Sequence, residues 1–271
     1  GGAALALKTS METMVDARSV ACEGDCVAVG LHDGQILIFS QASGERVGVL
    51  QGHASFVMGL AMRDRVLWSG SEDGLVRRWD VAALECTHTL TEHAGAVLSL
   101  DLAEDALVSA SKDWTVKVWP LDGSPSRATI PHADGVIGVT AHGDLAASGC
   151  DDSKARVFSV VSGHVTHTIA GHTRTVIAVA LRGLLLATGS LDETVKLWSL
   201  AGAQAEAVAT LSGHTGRIIG LAVLPGGLVA SHATDHRLIL WRPYVVRESE
   251  GEGWSPMETR RRDHVTTHGS G

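Results

Sequence analysis

Short apolar runs separated by turn residues fill this chain from about residue 17 to residue 244. The clearest stretch is Gly171–Trp198. In it VIAVAL, LLLATGS and TVKLW follow one another with only Arg182-Gly183 and Leu191-Asp192-Glu193 between them. Runs of this length, rich in Val, Ile and Thr, predict β-strands, and no helical spacing is sustained across the turns. The same sequence of strands recurs in ERVGVLQGH, VMGLAM, VLWSGS and LVRRW, and again in AVLSLDL, ALVSAS and TVKVW. Near the start, Ser19–Cys22, Cys26–Gly30 and GQILIFS read as three strands of a less regular unit. Asp33-Gly34 marks a tight hairpin there, because Gly accepts the positive φ that such a turn imposes.

The pattern repeats with a fixed period. A closing aromatic falls at Phe39, Trp79, Trp119, Phe158, Trp198 and Trp241, in steps of 40, 40, 39, 40 and 43 residues. An Asp precedes each by six: Asp33, Asp73, Asp113, Asp152, Asp192 and Asp235. A His opens five units, His53, His93, His132, His172 and His214, and a hydroxyl stands four residues before the Asp at Ser69, Ser109, Ser148, Thr188 and Ser231. Four residue types holding their spacing through five units, with Trp79-Asp80 as the one literal WD, resemble the WD40 repeat family over about residues 5–244.

That resemblance implies an all-β fold, a WD40 β-propeller with six recognisable four-stranded blades over residues 1–244 and a flexible polar tail at 245–271. It also implies a role for the repeated residues. In the family the indole N–H meets the hydroxyl, the hydroxyl meets the His, and the His meets the Asp. The expected sets are His53/Ser69/Asp73/Trp79, His93/Ser109/Asp113/Trp119, His132/Ser148/Asp152/Phe158, His172/Thr188/Asp192/Trp198 and His214/Ser231/Asp235/Trp241. In the first unit Thr13 and Val29 take the His and Ser places, so its set is broken; in the fourth, Phe158 has no indole hydrogen to give. Ser, His and Asp together also make a hydrolase triad. A single-site enzyme needs one triad, whereas this set recurs in five units, so the set is read as structural and no catalytic residue is assigned.

Composition narrows the classes. A net charge of -8 argues against a general nucleic-acid surface, which needs a basic face. No run of 18 apolar residues exists, so no membrane-spanning helix is expected. The opening GGAALALKTSMETMV lacks the basic flank of a signal peptide and begins on Gly, so residues are expected to precede it. The cysteines, Cys22, Cys26, Cys86 and Cys150, lack the companion ligands of a metal site. They are read as buried free thiols of a cytoplasmic or nuclear protein. His88 and His167 hold equivalent places in CTHTL and VTHTI, which makes them outer-strand surface residues rather than metal ligands. No cofactor or metal is expected.

The resemblance places partner binding on the narrower face, around the central channel. Two series of positions map there: Phe56, Ala96, Gly135, Thr175 and Arg217 just past the His, and His32, Glu72, Lys112, Asp151, Leu191 and Thr234 just before the turn Asp. Aromatics and Arg are the usual anchors of interfaces, which singles out Phe56, Trp114 and Arg217. The expected function is a non-enzymatic scaffold for proteins or peptides, a monomeric propeller within a hetero-complex. Two narrower alternatives are a substrate-receptor propeller of a ubiquitin-ligase type assembly, and an open six-bladed ring completed by a partner chain in a coat-like scaffold. The WDxR form of ligase adaptors is absent, since Val81-Ala82 follow Trp79-Asp80. For closure, the expectation is that Ala4–Thr9 pairs with Arg237–Trp241 as the outer strand of the sixth blade, because an uncovered edge recruits other chains.

Overall fold

The structure, a computed structural model, describes residues 16–245 and 252–257. Within them lie six four-stranded antiparallel sheets. Sheet 1 is β1 (Ala17–Glu23), β2 (Cys26–Leu31), β3 (Ile36–Ser40) and β4 (Arg46–Leu50). Sheet 2 is β5 (Val57–Arg63), β6 (Val66–Ser71), β7 (Val76–Asp80) and β8 (Glu85–Leu90). Sheet 3 is β9 (Val97–Leu102), β10 (Ala106–Ser111), β11 (Thr115–Pro120) and β12 (Ala128–Pro131). Sheet 4 is β13 (Val136–His142), β14 (Leu145–Cys150), β15 (Lys154–Ser159) and β16 (Val165–Ala170). Sheet 5 is β17 (Val176–Arg182), β18 (Leu185–Ser190), β19 (Val195–Ser199) and β20 (Glu206–Leu211). Sheet 6 is β21 (Ile218–Val223), β22 (Val229–Ala233), β23 (Leu238–Val245) and β24 (Glu252–Met257).

In every sheet the strands pair in chain order, as short hairpin connections dictate. The first strands pack in succession, β1 on β5, then β9, β13, β17 and β21, so the sheets stand around one axis. Among the described residues this packing is not continued from β21 to β1. The core is not one mass but a series of layers between successive sheets. Ile36, Ile38 and Leu50 of sheet 1 meet Val57, Leu67 and Trp79 of sheet 2, and comparable clusters fill the following seams. The second strands are sandwiched on both faces, which is why VLWSGS and ALVSAS read as continuous apolar runs rather than alternating ones.

Each first strand carries a β-bulge at the same place, leaving Arg18, Met58, Leu98, Ile137, Ile177 and Ile219 out of register. A bulge re-aims the side chain it frees. Met58, Leu98, Ile137, Ile177 and Ile219 accordingly line a central cavity of about 380 Å³.

The last sheet departs from the expected closure. Its outer strand is β24, paired antiparallel with β23 from Leu240 opposite Met257 to Val245 opposite Glu252. Ala4–Thr9 lies outside the described residues, and the edge proposed for it is already taken at Leu240 and Trp241. The reason is visible in β23. It runs past Trp241 to Val245, longer than its counterparts, and so offers an edge to chain that returns from the C-terminal side. Pro256 is tolerated because β24 is an edge strand, where a missing amide breaks no inner ladder. The thiols also depart from expectation: Cys150 is buried, but Cys22 and Cys86 are exposed and Cys26 half-buried, all four unpaired.

Candidate partner-binding face

The repeated polar residues form buried chains of hydrogen bonds. In sheet 5, Trp198 Nε1 donates to Thr188 Oγ1 at 2.9 Å, the Thr188 hydroxyl lies 2.8 Å from His172 Nε2, and His172 Nδ1 lies 2.8 Å from Asp192. One tautomer satisfies all of them: Thr188 donates to Nε2 and Nδ1–H donates to the carboxylate. Sheet 2 repeats the chain through Trp79, Ser69, His53 and Asp73, sheet 3 through Trp119, Ser109, His93 and Asp113, and sheet 6 through Trp241, Ser231, His214 and Asp235.

The Asp does more than end the chain. One oxygen accepts the amide after the His (Ala54, Ala94, Thr173, Thr215), and the other accepts the amide two residues past the Asp (Leu75, Thr115, Thr194, Arg237). Each carboxylate thus ties the loop entering a sheet to the turn between its second and third strands. Burial pushes the Asp73 carboxyl up, but His53 and the two amides outweigh it and hold the group down to about 2. Asp192 and Asp235 are also held to about 2 against the same opposing burial. Burial lowers His93 and His172, against the pull of their Asp partners. The three carboxylates held near 2 stay ionised near neutral pH, which suits a strut rather than proton transfer.

Sheet 4 is wired differently from the expected set. His132 Nε2 still meets Ser148 Oγ at 2.7 Å, but Nδ1 turns to the Ile130 carbonyl at 3.1 Å. Asp152 instead takes Arg156 at 2.7 Å, and Phe158 is buried with nothing to donate. Burial and the Arg156 charge lower His132 to about 4, so it is neutral and donates to a neutral acceptor.

These struts hold the two position series read from the sequence, and the structure joins the series pair by pair. The amides of Glu72, Lys112, Asp151, Leu191 and Thr234 donate to the carbonyls of Phe56, Ala96, Gly135, Thr175 and Arg217 at 2.9–3.0 Å, and His32 donates to Asp16 at 3.1 Å. The pairs form a rim of rungs, one per sheet, at the end of the strands where the β2–β3 turn and its equivalents lie.

Side chains then link neighbouring rungs. The His32 ring stacks on Phe56 with centroids 3.5 Å apart and planes 15° from parallel, and Arg18 Nε donates to His32 at 3.0 Å. Lys112 pairs with Asp151 at 2.8 Å, and Asp151 accepts from Thr175 at 3.1 Å. Arg174 is spent on the Leu191 carbonyl. Glu72 and Arg217 point to solvent.

Trp114 stands apart. It is 55% exposed, and its φ is +71°. The residue after the turn Asp is left-handed in all six sheets: Gly34, Gly74, Trp114, Ser153, Glu193 and His236. Two of those are Gly, as the conformation favours, and a bulky side chain there is strained.

Sequence reasoning missed the seams. His88 on β8 lies over Gly123 in the β11–β12 turn, and His167 Nε2 meets the Gly202 carbonyl at 3.2 Å in the β19–β20 turn. Both rings fill the space against the next sheet instead of facing solvent alone. The Gly in each facing turn, Gly123 or Gly202, was the available signal.

Comparison with known proteins agrees with this geometry. The family model for the WD domain, G-beta repeat matches residues 44–80, 84–120 and 163–199. Nuclear distribution protein PAC1 of Arthroderma otae is 31% identical over 138 residues, 44% of this chain and 30% of that protein. The ribosome biogenesis protein WDR12 homolog of Drosophila yakuba is 32% identical over 128 residues, again 44% of this chain and 30% of the relative. The chain therefore spans about three tenths of the length of these relatives. A crystal structure of the RRP9 WD40 repeats superposes with a TM-score of 0.77 at 22% identity, covering 85% of this chain and 77% of that one. The period, the Trp–Ser/Thr–His–Asp chains and the matched repeats together place this chain in the WD40-repeat family.

Proposed function

We propose that this protein is a non-enzymatic scaffold inside a larger intracellular assembly, docking protein or peptide partners on the rim that carries Phe56, Trp114 and Arg217. The observation that carries the reading is Trp114, an exposed indole in a left-handed slot. The equivalent left-handed positions hold Gly, Ser, Glu and His, so the indole is the one large aromatic presented there. Relatives named for nuclear distribution and ribosome biogenesis support a role in multi-protein assemblies. The same His–Asp pair recurring in four sheets supports a structural use of these residues, and so a binding role over an enzymatic one.

The test uses Trp114→Gly. A Gly relieves the left-handed strain, so the variant is expected to unfold at higher urea by about 1 kcal/mol. The same variant is expected to lose partners in quantitative co-purification from the source cell, as are Phe56→Ala and Arg217→Ala, each at about 2 kcal/mol or more. A Trp114→Gly protein that keeps its full set of partners removes the rim from the proposal.

A second reading has its own observation. The unmatched packing between β21 and β1 coincides with exposed Val20, Ile219 and Leu238, 66%, 44% and 56% exposed. A partner strand or blade completing the ring at that place would cover them. Val20→Asp combined with Leu238→Asp abolishes co-purification under this reading and leaves it unchanged under the rim reading.

A further inference from the structure

Each sheet ends in an outer strand whose far side presents unpaired N–H and C=O groups, and a protein blunts such an edge with charge, Pro or short length. Five of the outer strands here carry one of these devices. β4 begins on Arg46, β8 on Glu85 and β20 on Glu206. β12 is four residues long and ends on Pro131, and β24 has Glu252 and Pro256. β16 is the exception. Its sequence VTHTIA has no acid, lysine, arginine, Gly or Pro, and four of its first five residues are β-branched. Nothing in that composition discourages a further strand.

The edge is also open. β16 pairs with β15 along its inner side, from Lys154 opposite Ala170 to Phe158 opposite Val165. Among the described residues, no backbone bond from outside sheet 4 reaches Val165–Ala170. The side-chain bonds of the strand leave from Thr166 and His167 and do not use its outer amides. A groove of about 480 Å³ lies against it, lined by Thr166–Ala170, by Ala203, Gln204 and Ala205 of the next sheet, and by Trp198. Thr166, Thr168, Ala203 and Gln204 are exposed. The lining is polar through hydroxyls, an imidazole and an amide, and it has no acid, lysine or arginine.

We infer that β16 is a docking edge for an extended, uncharged segment of a partner protein, added as a fifth strand of sheet 4. The open backbone names the shape of the occupant, because a strand is what returns a ladder of N–H and C=O groups to an edge. The lining names its chemistry. A carboxylate or ammonium buried there would lose water and meet no opposite charge. Thr, Ser and Val side chains would instead meet hydroxyls, the Gln204 amide and the two alanines. Side chains alternate along a strand, so every second residue of the segment meets the groove. The fourth strand stands farthest from the axis around which the first strands pack, so the site does not depend on the rim being an interface.

The test is fluorescence polarisation of the full chain with a labelled heptapeptide, Gly-Thr-Val-Ser-Val-Thr-Gly amide. The same peptide N-methylated on its five inner residues has no amide to pair and is expected to bind at least about tenfold more weakly. Peptides with Glu or Lys in place of the central Ser are each expected to lose about tenfold. Hydrogen exchange with saturating parent peptide is expected to slow amides within Val165–Ala170. Thr168→Lys and Ala203→Arg, both at exposed positions, are expected to abolish binding with the melting temperature kept. Trp114→Ala is expected to leave binding unchanged. No binding at millimolar peptide, full binding by the methylated peptide, tighter binding by either charged peptide, protection that omits β16, or indifference to both Thr168→Lys and Ala203→Arg overturns the proposal. So does self-association of the unliganded chain that Thr168→Lys abolishes, since the occupant is then a second copy.

Discussion

Sheets 4 and 5 show two ways to bury the same three kinds of polar side chain. In sheet 5 the indole, hydroxyl, imidazole and carboxylate run in one line, each satisfied by the next. In sheet 4 the line is cut at both ends. Phe158 removes the donor that would have met Ser148, and Arg156 takes the carboxylate that would have met His132. The imidazole then finds the carbonyl of Ile130. What the fold requires is therefore not the particular line but a partner for each buried group. The rewired sheet is less complete: Arg156 Nη1 is buried without a partner, whereas no member of the sheet 5 line is. Its rim loop also lacks one tie, because neither carboxylate oxygen of Asp152 takes the amide after His132 as Asp192 takes that of Thr173.

Three changes break or sharpen that contrast. The largest effect is expected from the hydroxyl. Thr188→Val strands both the Trp198 N–H and the His172 Nε2, a loss of about 3 kcal/mol at 1–3 kcal/mol per orphaned group. Ser148→Ala strands only His132 and is expected to cost about half as much. Urea melts of the two variants side by side measure the difference, and equal losses contradict the two-ended account of sheet 5.

Next comes acid. His132 titrates near 4 when folded, below the ordinary 6.5, so the folded chain binds fewer protons there than the unfolded chain. Its contribution to stability is complete above 6.5 and is lost as the pH falls from 6.5 to about 4, at most about 3 kcal/mol. Asp73, Asp192 and Asp235, held near 2, act in the same direction but lower, over about pH 4 to 2. Replacing His132 by Gln should flatten the upper limb of a stability–pH curve and leave the lower one. A curve that keeps its upper limb assigns that loss to other histidines.

The smallest effect is a gain. Phe158→Trp restores an indole opposite Ser148 and should add about 1 kcal/mol if the ring is accommodated. A crystal structure of the variant should show Nε1 on Ser148 Oγ with the Asp152–Arg156 pair intact.

The repeat was legible because its signal is covalent spacing: an aromatic every 39 to 43 residues survives whatever the side chains do in space. The rewiring of sheet 4 was not legible. The slot of Arg156 is held by Arg77, Lys117 and Lys196 in other units, and there Arg77 bonds Cys86 and Thr89 while Asp73 stays with its His. Only the local geometry decides which acid a long cation reaches. The rim positions were legible one by one, but not their pairing, since a backbone hydrogen bond leaves no mark in side-chain identity. β24 was hidden for a related reason. Outer strands are largely exposed, as β8 shows along ECTHT, so Glu, Gly and Pro in 252–257 looked like tail. The six sheets themselves could be read from hydropathy because five of the seams between them are apolar.

The size-matched seams give the units an address. Because the outer strand of one sheet meets the turn of its successor, the small Gly48 sits against the large Leu84 and the large His88 against the small Gly123. Splicing unit 1 directly onto unit 3 would set Gly48 opposite Gly123 and leave a hole. Splicing unit 4 onto unit 2 would drive the His167 ring into Leu84. Neighbour terms of this kind govern the stability of repeat arrays. A chimera that shuffles these blades, or a consensus chain that makes them identical, would keep every Trp, His and Asp and still lose the information that says which blade follows which.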